Sequence, residues 1–359
     1  MNKFFVNLNI YLLCFFLCIS SIVCYGSKNE VKVFASSSSS EIVMEVNTNR
    51  VLKSVNCYEK KYMASTTKIL TAITVIENCN VEDIVTVTKK TVGIEGSSIY
   101  LEEGEKLSVK DLLYGLMLRS GNDCAETLAV YTSGSIDEFC RLMNNIAKRI
   151  GAINSNFVNP HGLHDDNHYT TAYDLALISC YALKNPIFKE ICSTKKITIP
   201  FTTRNTKRLL INKNKMLNEY DGATGIKTGY TKKAGRCLVS SAEKDGLELV
   251  SVVLNVGPMF EKSKMLLDNA FENYTNYKLV DSNNIIDFIE DENSKDKIAL
   301  IIKEDIILPL TKKEKESVKI VYYYPKKFSS INEFDENIGK IKIYLQNDLI
   351  FEQKIYSII

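Results

Sequence analysis

The apolar periodicity of this 359-residue chain changes from helical to extended near Gly222, and this change limits the folds open to it. Before it, an alternating segment at residues 41–46 is followed by a long helical region. After it, two strand-like segments flank Asp245-Gly246, a pair typical of a two-residue hairpin turn, and an amphipathic helix over residues 259–274 follows. Strands before and after a helical region predict an α+β domain in which the strands from both sides of that region form a single sheet.

The middle third of the chain carries helical spacing almost throughout. The Ser108 hydroxyl can cap a helix together with Asp111, three residues further on. We predict helices over residues 64–77, 108–119, 123–131, 136–150 and 172–183.

From about Lys278 onward the sequence carries only short strand patterns. They lie at residues 298–302 and 318–323, and in a pair around a turn at residues 339–345 and 349–355. At about 150 residues per domain, the chain length suits two domains. We therefore predict a first domain over residues 27–277 and a small β domain over residues 278–359.

Residues 1–26 have the layout of a secretory signal peptide. Lys3 precedes an apolar run over residues 11–23, and Cys24 and Gly26 are small residues at the −3 and −1 positions of a cleavage site. The run is shorter than the about 20 apolar residues of a membrane span. We expect an exported protein, in the cell wall or at the outer face of the cytoplasmic membrane, with an uncleaved N-terminal anchor as the alternative.

Charge and cysteine usage exclude several classes of function. With 45 Lys and Arg against 43 Asp and Glu, the net charge is +2, which argues against a nucleic-acid binder that relies on a basic surface. Removal of residues 1–26 would leave seven of the 10 cysteines, and none of them forms a Cys-x-x-Cys pair. Neither a zinc site nor a thioredoxin-like motif is therefore encoded, and buried thiols are expected.

Ser65 and Lys68 open the helix predicted over residues 64–77. A spacing of three residues places both side chains on one helical face, so the amine can reach the hydroxyl. A serine in this position can act as a nucleophile that a neighbouring amine activates, provided that burial lowers the pKa of the amine. Ser-x-x-Lys occurs four times in the chain, so the pattern alone is weak.

A second polar pattern, Ser120-Gly-Asn122, lies in a short break between two predicted helices. Both residue types are common helix caps, so capping of the next helix is the alternative interpretation. Ser-x-Asn also occurs elsewhere in the chain, which makes this pattern weak by itself.

The third pattern, Lys227-Thr228-Gly229, occurs once and precedes Tyr230 on a predicted strand. A lysine with a neighbouring threonine can hold a substrate carboxylate by charge-assisted hydrogen bonds. The glycine removes a side chain where the backbone of a ligand would lie along the strand. A polar strand end without function is the alternative interpretation.

The three patterns occur in the order, and on the elements, typical of penicillin-binding proteins and related β-lactamases. The chain resembles the serine-type D-alanyl-D-alanine carboxypeptidases, the low-molecular-mass penicillin-binding proteins, over about residues 40–275. This resemblance implies a β-lactamase/transpeptidase-like α+β domain, an antiparallel sheet flanked by helices with a helical subdomain, followed by a small all-β domain. The segments that carry it are ASTTKILTA (64–72), EGSSIYL (95–101), LLYGLMLRSGND (112–123), NPHGL (159–163) and GIKTGYT (225–231).

The resemblance implies catalytic roles for four residues. Ser65 would attack the carbonyl of the penultimate D-alanine of a peptidoglycan stem peptide and release the terminal D-alanine, with Lys68 as the general base. Ser120 and Asn122 would shuttle protons and hold the peptide. β-Lactam antibiotics would acylate the same serine as covalent inhibitors, and no cofactor or metal is implied.

The same resemblance implies that substrate is bound by the third pattern. Lys227 and Thr228 would hold the terminal carboxylate, and Gly229 would let the peptide lie along the strand. The backbone N–H groups of Ser65 and Tyr230 would form the oxyanion hole.

Three alternatives of the same fold remain open at the level of sequence. A D,D-endopeptidase would use the same catalytic residues on a cross-bridge. A β-lactamase would need a deacylating glutamate in a Glu-x-x-Leu-Asn type of loop, which the sequence does not contain. A non-catalytic cell-wall binding protein is the third.

Metal binding is the rival interpretation of the three histidines, His161, His164 and His168. The second and third have the spacing of a zinc-peptidase pair, but Asp165 stands where that motif needs a glutamate. We expect structural hydrogen bonding by these rings instead.

The C-terminus departs from the pattern of many relatives, which end in an amphipathic helix that lies on the membrane. This sequence is strand-like almost up to Ile359, so an anchor of that kind is not expected.

Overall fold

A computed structural model describes residues 38–292, 295–328 and 337–358 of the chain. The predicted signal peptide at residues 1–26 lies outside these residues. Within the described ranges, no helix combines the length and apolar character needed to cross a membrane. In chain order, the elements of the body are β1 (Ser40–Glu45), β2 (Val51–Val55), α1 (Lys68–Asn78), β3 (Ile84–Thr86), β4 (Lys106–Ser108), α2 (Val109–Leu118), α3 (Asn122–Ser133), α4 (Ile136–Arg149), α5 (Ala172–Leu183), α6 (Pro186–Ser193), β5 (Lys196–Phe201), β6 (Thr206–Ile211), α7 (Met216–Glu219), β7 (Ala223–Thr231), β8 (Gly235–Lys244), β9 (Leu247–Leu254) and α8 (Met259–Asn273).

A five-stranded antiparallel sheet forms the centre of the body, in the order β2-β1-β9-β8-β7. The turn at Asp245-Gly246 joins β8 to β9 with Lys244 paired to Leu247, as the sequence predicts. Strand β1 lies between β2 and β9, so both ends of the helical region contribute to one sheet. Helix α5 packs on β1 and β9, and α8 packs on β8 and β9. The α+β prediction is confirmed.

Helix α1 is the centre of the helical part of the body. Residues 68–76 along it are all buried, and it packs against α2, α3, α4, α5 and α6. Because this helix is surrounded, its polar side chains are buried too and must find partners inside the protein. Thr71, for example, donates its hydroxyl to the carbonyl of Pro160 at 2.6 Å.

The five predicted helices between residues 64 and 183 are confirmed, and their ends agree to within two residues except at the first, where residues 64–67 form a 3-10 turn before α1. Ser108 and Asp111 form the predicted capping box at the start of α2. The sequence analysis passed over α6 and the β5–β6 hairpin. Helix α6 does have a start signal, since the Asn185 side chain caps it and Pro186 is its first residue. The hairpin gives little apolar alternation, because most of its residues face solvent.

The C-terminal region is built on strands and has its own apolar cluster around residues such as Leu300 and Ile343. Its six-stranded sheet has the order β14-β16-β17-β12-β11-β15, and β10 pairs separately with β13. The prediction of a small all-β fold in this region is confirmed, and a capping box of Thr311 and Glu314 adds a six-residue helix, α9, between two of its strands. The elements are β10 (Thr275–Val280), β11 (Asp287–Asp291), β12 (Lys297–Ile301), β13 (Ile306–Leu310), α9 (Lys312–Ser317), β14 (Val318–Tyr323), β15 (Lys327–Phe328), β16 (Asn337–Leu345) and β17 (Asp348–Ile358).

Arg50 links the C-terminal region to the body. Its guanidinium lies 2.5 Å from a Glu314 carboxylate oxygen, donates to the carbonyl of Pro309 and stands 5.6 Å from the centre of the Tyr274 ring. The arginine side chain is 11% exposed and its glutamate partner 21%, so water screens this pair only partly. Both regions belong to one compact unit, and the domain boundary between residues 277 and 278 stays a prediction.

We expect Arg50→Ala to lower the free energy of unfolding by about 2 kcal/mol, because it leaves the Pro309 carbonyl and the Glu314 carboxylate without their shared donor. Arg141→Ala is the matched control. Arg141 pairs with Glu138 on the surface of α4, where both side chains are more than half exposed, so its removal should change stability by less than about 0.5 kcal/mol. Urea unfolding of the two variants tests this, and equal effects would contradict it.

Candidate active site

Ser65 lies in a 3-10 turn, Ala64–Thr67, that leads directly into α1. Ala64 adopts a left-handed backbone with φ 49°, which turns the chain sharply into the helix. Thr67 donates its hydroxyl to the carbonyl of Ala64 at 2.8 Å and lies 2.8 Å from Nε2 of His168. The N–H of Val158 donates to the other ring nitrogen of this histidine at 3.1 Å, so Nε2 carries the proton and donates to Thr67. These bonds fix the turn that presents the half-buried Ser65.

The Lys68 amine is fully buried and has three acceptors. Nζ lies 3.3 Å from Oγ of Ser65, 2.7 Å from Oδ1 of Asn122 and 2.6 Å from the backbone oxygen of His161. Burial lowers the pKa of Lys68 well below its ordinary value, and the positive charge of Lys227 lowers it further. The sequence-predicted contact between serine and lysine is therefore present, with the amine poised to lose its proton.

Ser120 lies in the break between α2 and α3, as predicted, and Asn122 is the first residue of α3. The capping interpretation was wrong for Asn122, because Gly121 is the N-cap residue of α3 and no side chain caps that helix. Asn122 instead accepts from Lys68 and donates its amide to the carbonyl of Glu95 at 2.5 Å. Ser120 has a left-handed backbone with φ 64°, and its buried hydroxyl has no hydrogen-bond partner within the described part of the chain. A strained residue with an unused buried hydroxyl is typical of a functional site.

Lys227, Thr228, Gly229 and Tyr230 lie on β7, the edge strand of the central sheet. The Lys227 amine is buried and donates to the carbonyl of Thr228 at 3.0 Å. Burial first, and then the charge of Lys213, lower the pKa of Lys227 to about 7. The Thr228 side chain is half-buried, and that of Tyr230 is 63% exposed.

Gly229 allows β7 to lie directly against the turn that carries the serine. A Cβ at this position would stand 3.0 Å from the carbonyl oxygen of Met63 and 3.1 Å from the backbone nitrogen of Ser65. Separations this short are tighter than ordinary van der Waals contact, so a side chain here would push the backbone of the serine turn away by a few tenths of an ångström. The edge strand and the serine backbone therefore face each other closely, which a pair of N–H donors around one oxygen would require.

The structure adds site residues that the sequence analysis missed. The backbone oxygens of His161 and Glu95 hold Lys68 and Asn122, and a backbone carbonyl carries no residue-type signature. Lys213, just after the β5–β6 hairpin, donates to the hydroxyl of Ser97 at 3.1 Å and acts electrostatically on Lys227. His161 lies in the segment NPHGL and Glu95 in the segment EGSSIYL, but neither segment indicated a bond from a backbone carbonyl, and no sequence signal marked Lys213.

The histidines make structural contacts. Burial lowers the pKa of His168 to about 3 and also lowers the pKa of His161, so both rings are neutral near neutral pH. His164, about a third exposed, lies 3.4 Å from Asp166. Among the described residues, no group of three or more His, Cys, Asp and Glu side chains could hold a metal ion. The seven cysteines in the described ranges are free, and all are buried except the partly exposed Cys79.

The chemistry of the site is that of acyl transfer to a serine. The Ser65 hydroxyl is in contact with a buried amine, an arrangement that can activate a serine as a nucleophile, and Asn122 accepts a hydrogen bond from the same amine. A second buried lysine, Lys227, lies on the strand beside the serine and can receive an anion.

Comparisons with known proteins cover both regions of the chain. The family profile described as D-alanyl-D-alanine carboxypeptidase matches residues 27–257, and the profile described as the C-terminal domain of penicillin-binding protein 5 matches residues 274–358. The D-alanyl-D-alanine carboxypeptidase DacF of Bacillus subtilis (strain 168) is 33% identical over 282 residues, which span 76% of this chain and 72% of that protein. DacA of Haemophilus influenzae is 31% identical over 303 residues, 78% of this chain and 74% of that protein.

Among solved structures, penicillin binding protein 5 from Haemophilus influenzae superposes with a TM-score of 0.75 at 27% identity, and the match covers 93% of this chain and 98% of that one. The body and the C-terminal region therefore resemble one and the same two-part protein.

Gly162 offers a steric test of the serine turn. Its φ is 87°, and a Cβ there would collide with the carbonyl oxygen of Ala64. Gly104 has a similar φ of 83° but open space around it. An alanine at Gly104 therefore measures the cost of backbone strain alone, and an alanine at Gly162 adds the cost of the collision. We expect Gly104→Ala to lower the free energy of unfolding by about 1 kcal/mol and Gly162→Ala by at least about 3 kcal/mol. Urea unfolding measures both, and equal losses would contradict the role of close packing.

Proposed function

The chain belongs to the D-alanyl-D-alanine carboxypeptidase family of serine peptidases, the low-molecular-mass penicillin-binding proteins, and on that premise we propose that it removes the terminal D-alanine from peptidoglycan stem pentapeptides through an acyl-enzyme on Ser65. The observation that carries the assignment of the nucleophile is the buried Lys68 amine, held against Ser65 by two other acceptors. The chain is a hydrolase in this proposal, and its substrate lies outside the cytoplasm.

The activation step follows from the bonds of Lys68. A neutral amine has two N–H donors and one lone pair. The short contacts to Asn122 Oδ1 (2.7 Å) and to the His161 carbonyl (2.6 Å) use both donors. The lone pair is then left to face Ser65 Oγ at 3.3 Å, in position to accept the hydroxyl proton as that oxygen attacks. The lowered pKa of Lys68 supplies the neutral amine that this step requires.

Recognition of a free carboxylate falls to Lys227 and Thr228. The Lys227 amine is buried, so an arriving carboxylate meets it with little screening by water and forms a strong charge-assisted hydrogen bond. The half-buried Thr228 hydroxyl is a neutral second donor on the same strand. Lys213 adds positive potential and helps to draw the anion inward. The need for a C-terminal carboxylate distinguishes a carboxypeptidase from an enzyme that cuts within a chain.

The oxyanion of the tetrahedral intermediate would be bound by the backbone N–H groups of Ser65 and Tyr230. The close approach of Gly229 to the nitrogen of Ser65 supports this assignment. Donors fixed in place for a developing negative charge contribute roughly 3–4 kcal/mol each. The exposed Tyr230 side chain has no part in this role, because only its backbone is used.

The leaving D-alanine needs a proton on its nitrogen when the peptide bond breaks. We assign this transfer to Lys68 through Ser120, whose buried hydroxyl has no other partner among the described residues. A water molecule then attacks the acyl-enzyme and releases the shortened peptide. A β-lactam forms the same ester with Ser65, but its ring-opened product stays attached and inhibits the enzyme.

Labelling by a fluorescent penicillin tests the nucleophile. Wild-type protein should be labelled covalently and should release D-alanine from a pentapeptide, and Ser65→Ala should lose both activities by a factor of at least about 10³. Ser193→Ala is the matched control, because Ser193 and Lys196 form another Ser-x-x-Lys pair and its hydroxyl only bonds to its own helix.

Each other result has a clear meaning. Wild-type protein that takes no label would refute the enzyme proposal in favour of a binding protein. Labelling with rapid drug turnover would indicate a β-lactamase, and cleavage of cross-bridges in preference to pentapeptides would indicate an endopeptidase.

The pH dependence of peptide cleavage tests the role of Lys227. Its pKa of about 7 in the free protein means that the lysine is cationic below that pH and neutral above it. Because a neutral amine holds a carboxylate poorly, kcat/KM should fall on the alkaline side, approaching tenfold per pH unit. A peptide amidated at its C-terminus has no carboxylate to lose, so it should be cut slowly at every pH without this alkaline fall. A profile for the free acid that keeps rising with pH would contradict the assignment.

A further inference from the structure

We propose that Glu126, on α3, is a positioning residue that acts through the side chain of His161 on the amine of Lys68. This inference rests on the proposed function, since it concerns the same base. Glu126 lies one helical turn after Asn122, and its Oε1 stands 3.4 Å from Nε2 of His161. No motif in the sequence points to this glutamate.

The contact between the two side chains has a defined direction. The N–H of Leu163 donates to Nδ1 of His161 at 3.1 Å, so that nitrogen carries no proton in the neutral ring. The single ring proton is therefore on Nε2, the atom that faces Glu126. Burial keeps the ring neutral by lowering the pKa of His161, while the glutamate opposes that shift only partly. The carboxylate thus faces the N–H of a neutral ring at 3.4 Å, somewhat longer than the usual N–H···O distance of about 2.7–3.2 Å.

The same histidine supplies the shortest contact of the base. Its backbone oxygen accepts from Lys68 at 2.6 Å, and any movement of this residue shifts that oxygen relative to the amine. The Asn159 side chain holds the loop from within by accepting from the N–H of Gly162 at 2.7 Å. The contact with Glu126 connects this loop, residues 159–163, to α3. That helix begins at Asn122, whose side chain is another acceptor of the Lys68 amine. This polar contact between Glu126 and His161 therefore connects the two segments that carry the Asn122 and His161 acceptors, and the direction of the lone pair depends on both acceptors.

The surroundings of the pair explain why its loss should be measurable. His161 is 8% exposed at its side chain and Glu126 20%, so the glutamate lies at the edge of the buried site. The charged groups that act on the His161 ring are Glu126 from α3 and Lys68 from α1. His168 is also close enough for the two imidazole rings to interact electrostatically. Removing the carboxylate opens a small gap toward solvent rather than a cavity in the core, so the fold should survive.

Saturation kinetics of penicillin acylation separate positioning from binding. In Glu126→Ala we expect the acylation rate constant to fall about tenfold, because the base is misaligned, while the dissociation constant of the non-covalent complex changes less than about twofold. Glu126→Gln should recover to within about twofold of wild type, since its amide oxygen can accept the same N–H without charge. Glu138→Ala, on an exposed glutamate of α4, is the control and should match wild type.

Each outcome decides one question. Wild-type protein that is not acylated refutes the proposed function, whereas normal wild-type acylation with an unimpaired Glu126→Ala refutes this inference alone. A Glu126→Gln variant as slow as Glu126→Ala also refutes it, because charge and not hydrogen-bond geometry would then be responsible.

If Glu126→Ala fails to fold, nitrogen NMR of the histidine rings in wild type and Glu126→Gln gives the answer. A His161 ring protonated on Nε2 in both proteins supports the inference, and a proton on Nδ1 overturns it.

Discussion

The site depends on one buried amine, that of Lys68, whose hydrogen-bond partners among the described residues are all uncharged. An ion taken out of water usually needs an opposite charge, and otherwise it loses its proton. The three acceptors of Lys68 are a hydroxyl, a side-chain amide and a backbone carbonyl, all uncharged. Asp123, one residue after Asn122, is close enough to act on Lys68, but its carboxylate accepts from the N–H of Leu101 at 3.0 Å and from the hydroxyl of Ser98 at 2.5 Å. The Asp123 carboxylate therefore stabilises the loop at residues 98–101, and Lys68 keeps a lowered pKa.

That requirement explains the unusual backbone around the site. The segments around Asn122, His161 and His168 each place an atom within hydrogen-bond distance of residues 67 and 68, and β7 approaches the same turn at Gly229. Larger side chains at the points of closest approach would keep these segments apart. Gly162 and Gly229 stand where a Cβ would meet the serine turn, and Ala64 and Ser120 adopt left-handed conformations that non-glycine residues rarely use. Strain of this kind persists only where surrounding bonds hold it, as the Thr67–His168 bond holds the turn.

Periodicity and capping were enough to predict most of the fold, because helices such as α2 start at a capping box and the hairpin β8–β9 has a distinctive turn. The site was predictable only in part. The order of the three motifs led to the prediction of a nucleophile, a base and carboxylate-binding residues, and the structure brings these side chains close together. The bonds from Glu95 and His161 were not predictable, since they come from backbone carbonyls whose direction depends on tertiary packing. Lys213 and Glu126 were not predicted because both are residue types common on protein surfaces. Their partners, Ser97 and His161, are far away in the sequence and come close only in the folded chain.

In the proposed function Lys227 must be cationic while Lys68 is neutral, and the electrostatic coupling between these two buried lysines favours that difference. In addition to burial, the charge of Lys227 lowers the pKa of Lys68, and the charge of Lys213 lowers the pKa of Lys227. The three lysines therefore form a series in which each positive charge makes its neighbour easier to deprotonate. Interacting groups share their protons as a set, and anything that fixes a proton on one makes the other easier to deprotonate. A substrate carboxylate at Lys227 keeps the proton on that lysine, while burial keeps the pKa of Lys68 low and leaves Lys68 as the neutral base. Recognition of the C-terminal carboxylate and readiness of the base are then two consequences of one electrostatic arrangement, which requires no histidine.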